Sequence, residues 1–386
     1  MLLAGLLLGY ALLSFRSRRD TLDFAQFYAA GQMVRQGFGR DIYDFRVQGQ
    51  FQSKLARVHT FYSHPPFEAL LFVPFTYTNY QAAYAIWFIG SLGLLAWAVF
   101  LIESNTKLTS AMLEYTRIRA DSGLVFIIFL TFAPVTTCLL IGQDSMLVLL
   151  AYSLVFVLLR RGAQFWAGCV LACGLLKFQF VVPFVLILLL LRKWRVIYGF
   201  TLISTLLVLI SVAICGVHVL STYPRLLLFD NRFQQIGDLK YVPNIRGFLH
   251  LLLEGLRASV FNLLVGVLSL LALWLAAKNW RDEQFALSFS TAVVAALLAS
   301  YHLYTYDLSL LVLPISIVCG ESAQHGRALP VLLIVALAVL FVPPLHLWLI
   351  VRGLYAIMFV PIAILFSTMI WMNRSGAGQV SIPIAD

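Results

Sequence analysis

The sequence is poor in charge: Asp, Glu, Lys and Arg make up 11% of its 386 residues, while 61% are hydrophobic and the mean hydropathy is +0.90. A water-soluble domain of this length could not hide that much apolar surface, which excludes a soluble enzyme or binding module. No long polar insertion separates the apolar runs, so the chain reads as one integral-membrane domain over residues 1–386. Cysteine is scarce: Cys138, Cys169, Cys173, Cys215 and Cys319 sit in apolar runs without metal-ligand spacing, as small buried side chains rather than a disulfide framework. Walker A, Rossmann and HExxH motifs are missing. The carboxylates form no D-x-D pair, only Asp20-x-x-Asp23 and Asp41-x-x-Asp44, which gives a divalent-metal site weak support. Neither a metal nor another cofactor is therefore expected. With no nucleic-acid motif beside it, the +10 net charge reads as Lys and Arg on cytoplasmic loops.

What is present predicts an all-α polytopic membrane protein of eleven or twelve transmembrane helices. Residues 1–15 are apolar but short, and lack the basic n-region and Ala-x-Ala site of a removable signal; they are taken as a first helix. Further spans fall near 81–102, 123–141, 145–159, 163–176, 180–191, 196–217, 258–277, 285–300, 307–319, 329–342 and 354–372. Several are shorter than a bilayer requires, which implies tilting or re-entrant pairs buried in protein. Between the first two spans, residues 16–66 form a polar loop with two weakly amphipathic pieces, 23–36 and 46–58, suited to helices lying in the interface. The run Tyr62-Ser63-His64-Pro65-Pro66 then breaks the chain.

Lys and Arg in the short loops set the orientation. Lys107, Arg117, Arg119, Arg160, Arg161, Arg192, Lys193, Arg195, Lys278, Arg281, Arg327 and Arg374 fall on one side, and only Lys177 and Arg352 on the other. The first set is cytoplasmic, which places the long loops 16–66 and 218–257 outside. Arg16, Arg18 and Arg19 argue the other way; the later loops outvote them, and a natural start upstream of Met1 is expected.

With that topology, polar residues that interrupt apolar runs gather at the outer surface: Asp23 to Tyr28, Tyr62 to Pro66, Gly142-Gln143-Asp144, Lys177-Phe178-Gln179, His218, residues 230–246 and Tyr301 to Asp307. Each has two readings. Asp23 is either an ionised group at the membrane surface that carries chemistry, with Tyr28, Tyr43 and Asp44 nearby, or the cap of an interfacial helix. Lys177 either holds a lipid phosphate or snorkels to the headgroups. Gly142-Gln143-Asp144 is either a polar wall or a tight turn. The Tyr301–Tyr306 run is either an aromatic belt with Asp307 as the next helix's cap, or a lining in which His302 donates to phosphate or sugar. His64 is either a ligand or part of a shape-setting Pro-Pro turn.

Four stretches in this order, DFAQFYAAGQMVRQGFGRDIYD, YSHPPFEALLFVPF, GQDSMLVLLAYSLVFVLLRRGAQFWAGCVLACGLLKFQF and YHLYTYDLSLLVLP, resemble glycosyltransferase family 87. The resemblance covers residues 23–314 and implies the GT-C fold. It also implies transfer of a hexose, mannose before others, from a polyprenyl-phosphate sugar to a lipid-linked or envelope glycan, on the outer face of the plasma membrane and without a metal. The family's essential aspartate falls on Asp23, its G-Q-x-[NDS] turn on Gly142 to Ser145, its K-x-Q on Lys177 and Gln179, and its late aromatic-His motif on Tyr301 to Asp307. The residues 218–257 match only weakly, which leaves acceptor recognition open.

These readings combine into one expected site. Inverting displacement of a sugar from a phosphate needs a base for the acceptor hydroxyl and stabilisation of the leaving phosphate. Asp23 is the expected base; Gln143, Asp144, Lys177, Gln179 and His302 are expected around the donor phosphate and sugar; Tyr28, Tyr43, His64, Tyr304 and Asp307 line the cavity. A transporter or flippase of a lipid-linked sugar also needs many helices and a lipid-phosphate lysine, but it more often shows internal repeats and midplane polar groups, and no repeat is found. A non-catalytic assembly partner would tolerate substitution of Asp23 and Lys177.

Overall fold

Within hydrocarbon a backbone has no water to bond to, so an apolar chain is left with helices. The computed structural model describes residues 23–55, 61–106, 108–109, 121–229, 236–324 and 328–375, and every regular element among them is α- or 3-10-helical. The expected first helix 1–15, Arg16, Arg18, Arg19, Asp20, the end of the 46–58 piece, Lys107, Arg117, Arg119, residues 230–235 and Arg327 lie outside the described residues.

The outer-loop stretch folds into α1 (Phe24–Arg35), α2 (Phe45–Gln52) and the single turn α3 (Ala69–Phe72), and leads into the long α4 (Tyr80–Thr106). Then come α5 (Ser122–Leu130), α6 (Ala133–Ile141), α7 (Ser145–Arg160), α8 (Gln164–Cys173), α9 (Phe178–Leu190) and α10 (Trp194–Cys215). The C-terminal half holds α11 (Val219–Phe229), α12 (Ile245–Leu252), α13 (Ala258–Lys278), α14 (Phe285–Leu298), α15 (Val312–Gln324), α16 (Val331–Leu340), α17 (Pro343–Arg352) and α18 (Phe359–Ser375).

Six helical segments among the described residues are long and apolar enough to cross a membrane: Tyr80–Thr106, Gln164–Leu190, Trp194–Cys215, Ala258–Lys278, Thr305–Gln324 and Tyr355–Arg374. The number rises to eight if the bent pairs α5–α6 and α16–α17 each count as one span. The sequence had pointed to more spans, and the difference has physical causes. The expected pair 163–176 and 180–191 is one 27-residue helical segment, interrupted only by a 3-10 turn at Gly174–Lys177. The run expected at 123–141 contains a 74° break and the one expected at 329–342 ends on a 70° break before α17, with a proline in the first turn after each. α7, about 24 Å long at 1.5 Å per residue, is short of a bilayer's ~30 Å apolar thickness. α14 is shorter still, and every side chain from Leu287 to Leu298 is buried, so protein rather than lipid surrounds it.

The buried apolar residues form two cores. The larger joins α4 through α10 with α12 through α18. The smaller is aromatic: Phe24, Phe27, Tyr28, Tyr62, Phe72, Tyr84 and Trp87 pack together with Cys215 and Val219. Phe27 stacks on Phe72 at 4.7 Å between centroids and Phe24 meets Tyr84 edge-on at 5.7 Å, geometries that each add about 0.5–1.5 kcal/mol beyond area burial. α1 is therefore enclosed on most sides, from Phe24 through Gly31. A helix lying on headgroups would bury a single stripe.

α8 and α10 approach more closely than any side chain permits. A Cβ at Gly168 would lie 1.9 Å from the Val196 carbonyl oxygen, and one at Gly199 would lie 2.0 Å from that of Phe165. Small residues serve this purpose in membrane helices, where packing rather than water drives association. Gly168→Ala should force the two helices apart and cost about 1–3 kcal/mol, read as a lower Tm of the detergent-solubilised protein. Gly90→Ala, where a Cβ would meet nothing within 4 Å, should leave Tm unchanged or raise it slightly.

Candidate functional site

Five chain segments meet beside the aromatic core, and each delivers its side chain for a local reason. Gly142 ends α6 in the left-handed conformation, φ +74°, which glycine adopts without strain. It also clears room, because a Cβ there would sit 2.7 Å from the Phe24 Cβ. Trp87 Nε1 donates to the Gly142 carbonyl at 3.1 Å and the Tyr84 hydroxyl to the Leu140 carbonyl at 2.6 Å, which ties this turn to α4.

The Gln143 amide, held on that turn, donates from Nε2 to Asp23 Oδ2 at 2.7 Å. Asp23 stands at the N-cap position of α1 but its side chain makes no capping hydrogen bond. Oδ1 of the half-buried Asp23 accepts no hydrogen bond among the described residues, and burial pushes its carboxyl above the usual range, against the pull of Gln143 and Lys177.

On the other side, Gln143 Oε1 accepts from Lys177 Nζ at 3.3 Å. The Lys177 ammonium, 2% exposed, also lies 3.0 Å from Asp144 Oδ1 and 2.8 Å from Asp307 Oδ1, with the Tyr306 ring face 4.7 Å away. Three oxygens thus stand within 3.3 Å of the ammonium, and two of them belong to carboxylates that balance its charge. Asp307 is anchored twice more, by the Tyr304 backbone N–H to Oδ2 and by Ser145 Oγ to Oδ1, each at 3.0 Å. Burial alone would raise the Asp144 carboxyl, but Lys177, helped by His64, holds it below the usual range.

The Tyr62–Pro66 turn brings a residue that the sequence reading did not single out. Its shape is fixed by Gln48, which bonds the Tyr62 backbone at both N–H and C=O, and by the Tyr62 hydroxyl on the Pro65 carbonyl. Tyr43 donates to the His64 carbonyl at 2.7 Å and stacks on Tyr223. His64 Nδ1 thereby lies 3.0 Å from Glu68 Oε2, while the second oxygen of the fully buried Glu68 has no hydrogen-bond partner. Burial pushes the Glu68 carboxyl up to about 7, and Glu68 in turn raises the His64 imidazole against the effect of its own burial. Ligand atoms of His64, Glu68 and Asp144 all lie within 4.8 Å of one another. The signal available in the sequence was a lone carboxylate in the apolar run PPFEALLFVPF, four residues after a histidine.

Other expected residues are placed further out. His302 stacks on Tyr304 at 5.9 Å, and no hydrogen bond joins it to Asp23, Gln143 or Lys177. Its buried Nδ1 is without a partner, and burial, with Arg246 nearby, pulls its imidazole down to about 4, so it is neutral at pH 7. Tyr304 bridges His302 to Tyr306. Gln179 is half-buried two residues beyond Lys177, with no side-chain hydrogen bond among the described residues. Tyr28 spends its hydroxyl on the Thr78 carbonyl at 2.7 Å and serves the packing of α1. Beyond Tyr43 opens a cavity of about 250 Å³ lined by Arg40, Asp41, Tyr43, Asp44, Cys215, His218, Val219 and Thr222.

The arrangement can do two things chemically. It offers one carboxylate oxygen, on Asp23, to a proton donor, and it holds a fixed ammonium behind the amide that orients that carboxylate. Lys177→Met should leave Asp144 and Asp307 buried without their cation and cost about 3–5 kcal/mol, measured as loss of folded protein or a lower Tm; adding Asp307→Asn should recover part of that loss.

The family model for glycosyltransferase family 87 matches residues 62–314, more than half of the chain. That segment contains His64, Glu68, Gln143, Asp144, Lys177, Gln179, His302, Tyr304 and Asp307, whereas Asp23, Tyr28 and Tyr43 precede it. No curated protein and no solved structure matches the chain.

Proposed function

Because the chain belongs to glycosyltransferase family 87 and is a membrane glycosyltransferase, we propose that it moves a hexose, mannose first among the candidates, from a polyprenyl-phosphate donor to a lipid-linked or envelope glycan. The reading places this transfer on the outer face of the plasma membrane, supported by the Lys and Arg of the short loops. The observation that carries it is the 2.7 Å bond from Gln143 Nε2 to Asp23 Oδ2, which orients a carboxylate with its other oxygen free.

Asp23 Oδ1 takes the proton of the acceptor hydroxyl while that oxygen attacks the anomeric carbon from the face opposite the phosphate. The bond from that carbon to the phosphate oxygen breaks, the configuration inverts, and polyprenyl phosphate leaves. Gln143 keeps Asp23 in position, and Lys177, whose charge is met by Asp144 and Asp307, acts through Gln143 as a positioning residue. The unpartnered Nδ1 of neutral His302 and the amide of Gln179 supply hydrogen bonds for the sugar or phosphate. The cavity beyond Tyr43, with Arg40 and His218 on its wall, suits the approach of a polar headgroup.

General-base assistance is worth about 10²- to 10⁴-fold, so Asp23→Asn should lower transfer by that factor while Tm stays near that of the wild type. The assay is incubation of membranes containing the protein with labelled polyprenyl-phosphate hexoses, followed by recovery of labelled lipid-linked products. A variant that keeps most of its turnover removes Asp23 from the chemistry. Absence of transfer from every such donor turns the reading toward transport of the lipid-linked sugar.

A further inference from the structure

We propose that Arg246, with His302 beside it, binds the phosphate of the lipid-linked donor. The inference rests on the reading of the chain as a polyprenyl-phosphate sugar transferase, and it names the cation that this reading needs. Polyprenyl phosphate leaves with charge that fixed groups must meet. Lys177 is ill suited to that role, since Asp144 and Asp307 balance its ammonium and Gln143 joins it to the carboxylate of Asp23. A displacement with inversion also puts the phosphate on the face of the sugar opposite the base, so its cation belongs elsewhere than in this acid-rich cluster.

Arg246 has both the place and the free donors. Its guanidinium lies over the exposed Tyr301 ring, 4.0 Å from the centroid, and makes no ion pair or hydrogen bond among the described residues. The first turn of α12, which carries it, is tied to the chain just before Tyr301. Asn244 caps that turn by accepting from the Gly247 N–H at 3.0 Å, and its amide donates to the Ser300 carbonyl at 2.6 Å. Gly247 lets the turn close, because a Cβ there would sit 1.9 Å from the Val242 carbonyl oxygen. The side chain is thus fixed at its root, and its planar fork of N–H groups can bond two oxygens of one phosphate at once.

His302 adds a second group at the same place. It packs edge-on against Tyr301 at 4.5 Å between centroids, so the imidazole and the guanidinium share that ring. Its buried Nδ1 has no partner, which is costly, and a phosphate oxygen accepting from Nδ1–H relieves it. The guanidinium helps to keep the imidazole neutral, so the charge that meets the phosphate is that of Arg246. From His302 a row of rings leads back to the catalytic cluster: Tyr304 at 5.9 Å, Tyr306 at a further 5.7 Å, and the Lys177 ammonium 4.7 Å from the Tyr306 ring. Such rings offer apolar faces to the C–H groups of a hexose, between the cation that takes the phosphate and the carboxylate that takes the proton.

The test immobilises the full chain in mixed micelles of detergent and phosphatidylcholine and titrates it with labelled polyprenyl phosphate alone, with no sugar present. Uncharged polyprenol and phosphatidylglycerol serve as competitors. The wild type should bind the label, and excess of either competitor should displace little of it. Arg246→Gln should weaken binding at least ~10-fold, and transfer at limiting donor should fall by the same factor. Arg246→Lys, which keeps the charge but not the fork, should fall between the two and covers the case in which Arg246→Gln does not fold. Lys240→Met removes a neighbouring exposed cation that lies over Tyr241 and should change neither readout. No binding by the wild type, or equal binding by the wild type and both Arg246 variants, overturns the proposal. Displacement by polyprenol overturns it because the phosphate is then not read, and displacement by phosphatidylglycerol because the arginine then meets bilayer headgroups. Unchanged transfer by Arg246→Gln overturns it while leaving the transferase reading intact; binding that depends on Arg246 without transfer of any hexose upholds it and removes that reading.

Discussion

A buried ammonium between two buried carboxylates is the constraint on which the rest of the site depends. Lys177 is carried by a 3-10 turn between α8 and α9, Asp144 by the start of α7, and Asp307 by the turn that precedes α15. Charges this deep persist only if paired, so the three turns must meet, and their meeting fixes where α7, α8, α9 and α15 enter the bundle. The same ammonium holds Gln143 by its carbonyl end, so the amide end points at Asp23. An amide has one donor end and one acceptor end, and Lys177 has thereby decided which faces the carboxylate.

The aromatic core does the complementary work of delivering Asp23. Without Phe24 wedged among Phe72, Tyr84 and Trp87, the first turn of α1 would have no fixed relation to the Gly142 turn. Gly142 makes the approach possible by having no side chain, and Trp87 and Tyr84 hold its turn from α4. Glu68 sits under the same aromatic roof, reached through a Pro-Pro turn that Gln48, Tyr62 and Tyr43 hold from behind. Packing of ordinary apolar and aromatic groups thus sets the distances between groups that are anything but ordinary at a membrane surface.

The sequence reading and the structure part company in instructive places. Lys177 was legible as an unusual residue because a lysine inside an apolar run invites explanation, but its partners were not, since Asp144 and Asp307 lie 33 and 130 residues away. Glu68 escaped notice because neighbouring prolines and aromatics made its run look like shape rather than chemistry. His302 was singled out for its residue type, and the fold stacks it on Tyr304 with no hydrogen bond to Gln143 among the described residues. The family match begins at residue 62, so Asp23 enters the site through the fold, by way of the bond to Gln143.

By itself the sequence determined the class of molecule. Apolar composition forces helices and a membrane, and the order of four stretches indicates the family. It also located the polar interruptions, because an ionisable group in an apolar run stands out without reference to any neighbour. Only the tertiary structure decided what those groups do to one another. Whether a lysine is free for a ligand or saturated by carboxylates, and whether an aspartate caps a helix or faces an amide, depends on distances between residues far apart in the chain. Those distances come from packing, which one-dimensional spacing does not contain: Gly142 against Phe24, α8 against α10, and three charged turns drawn to a common point.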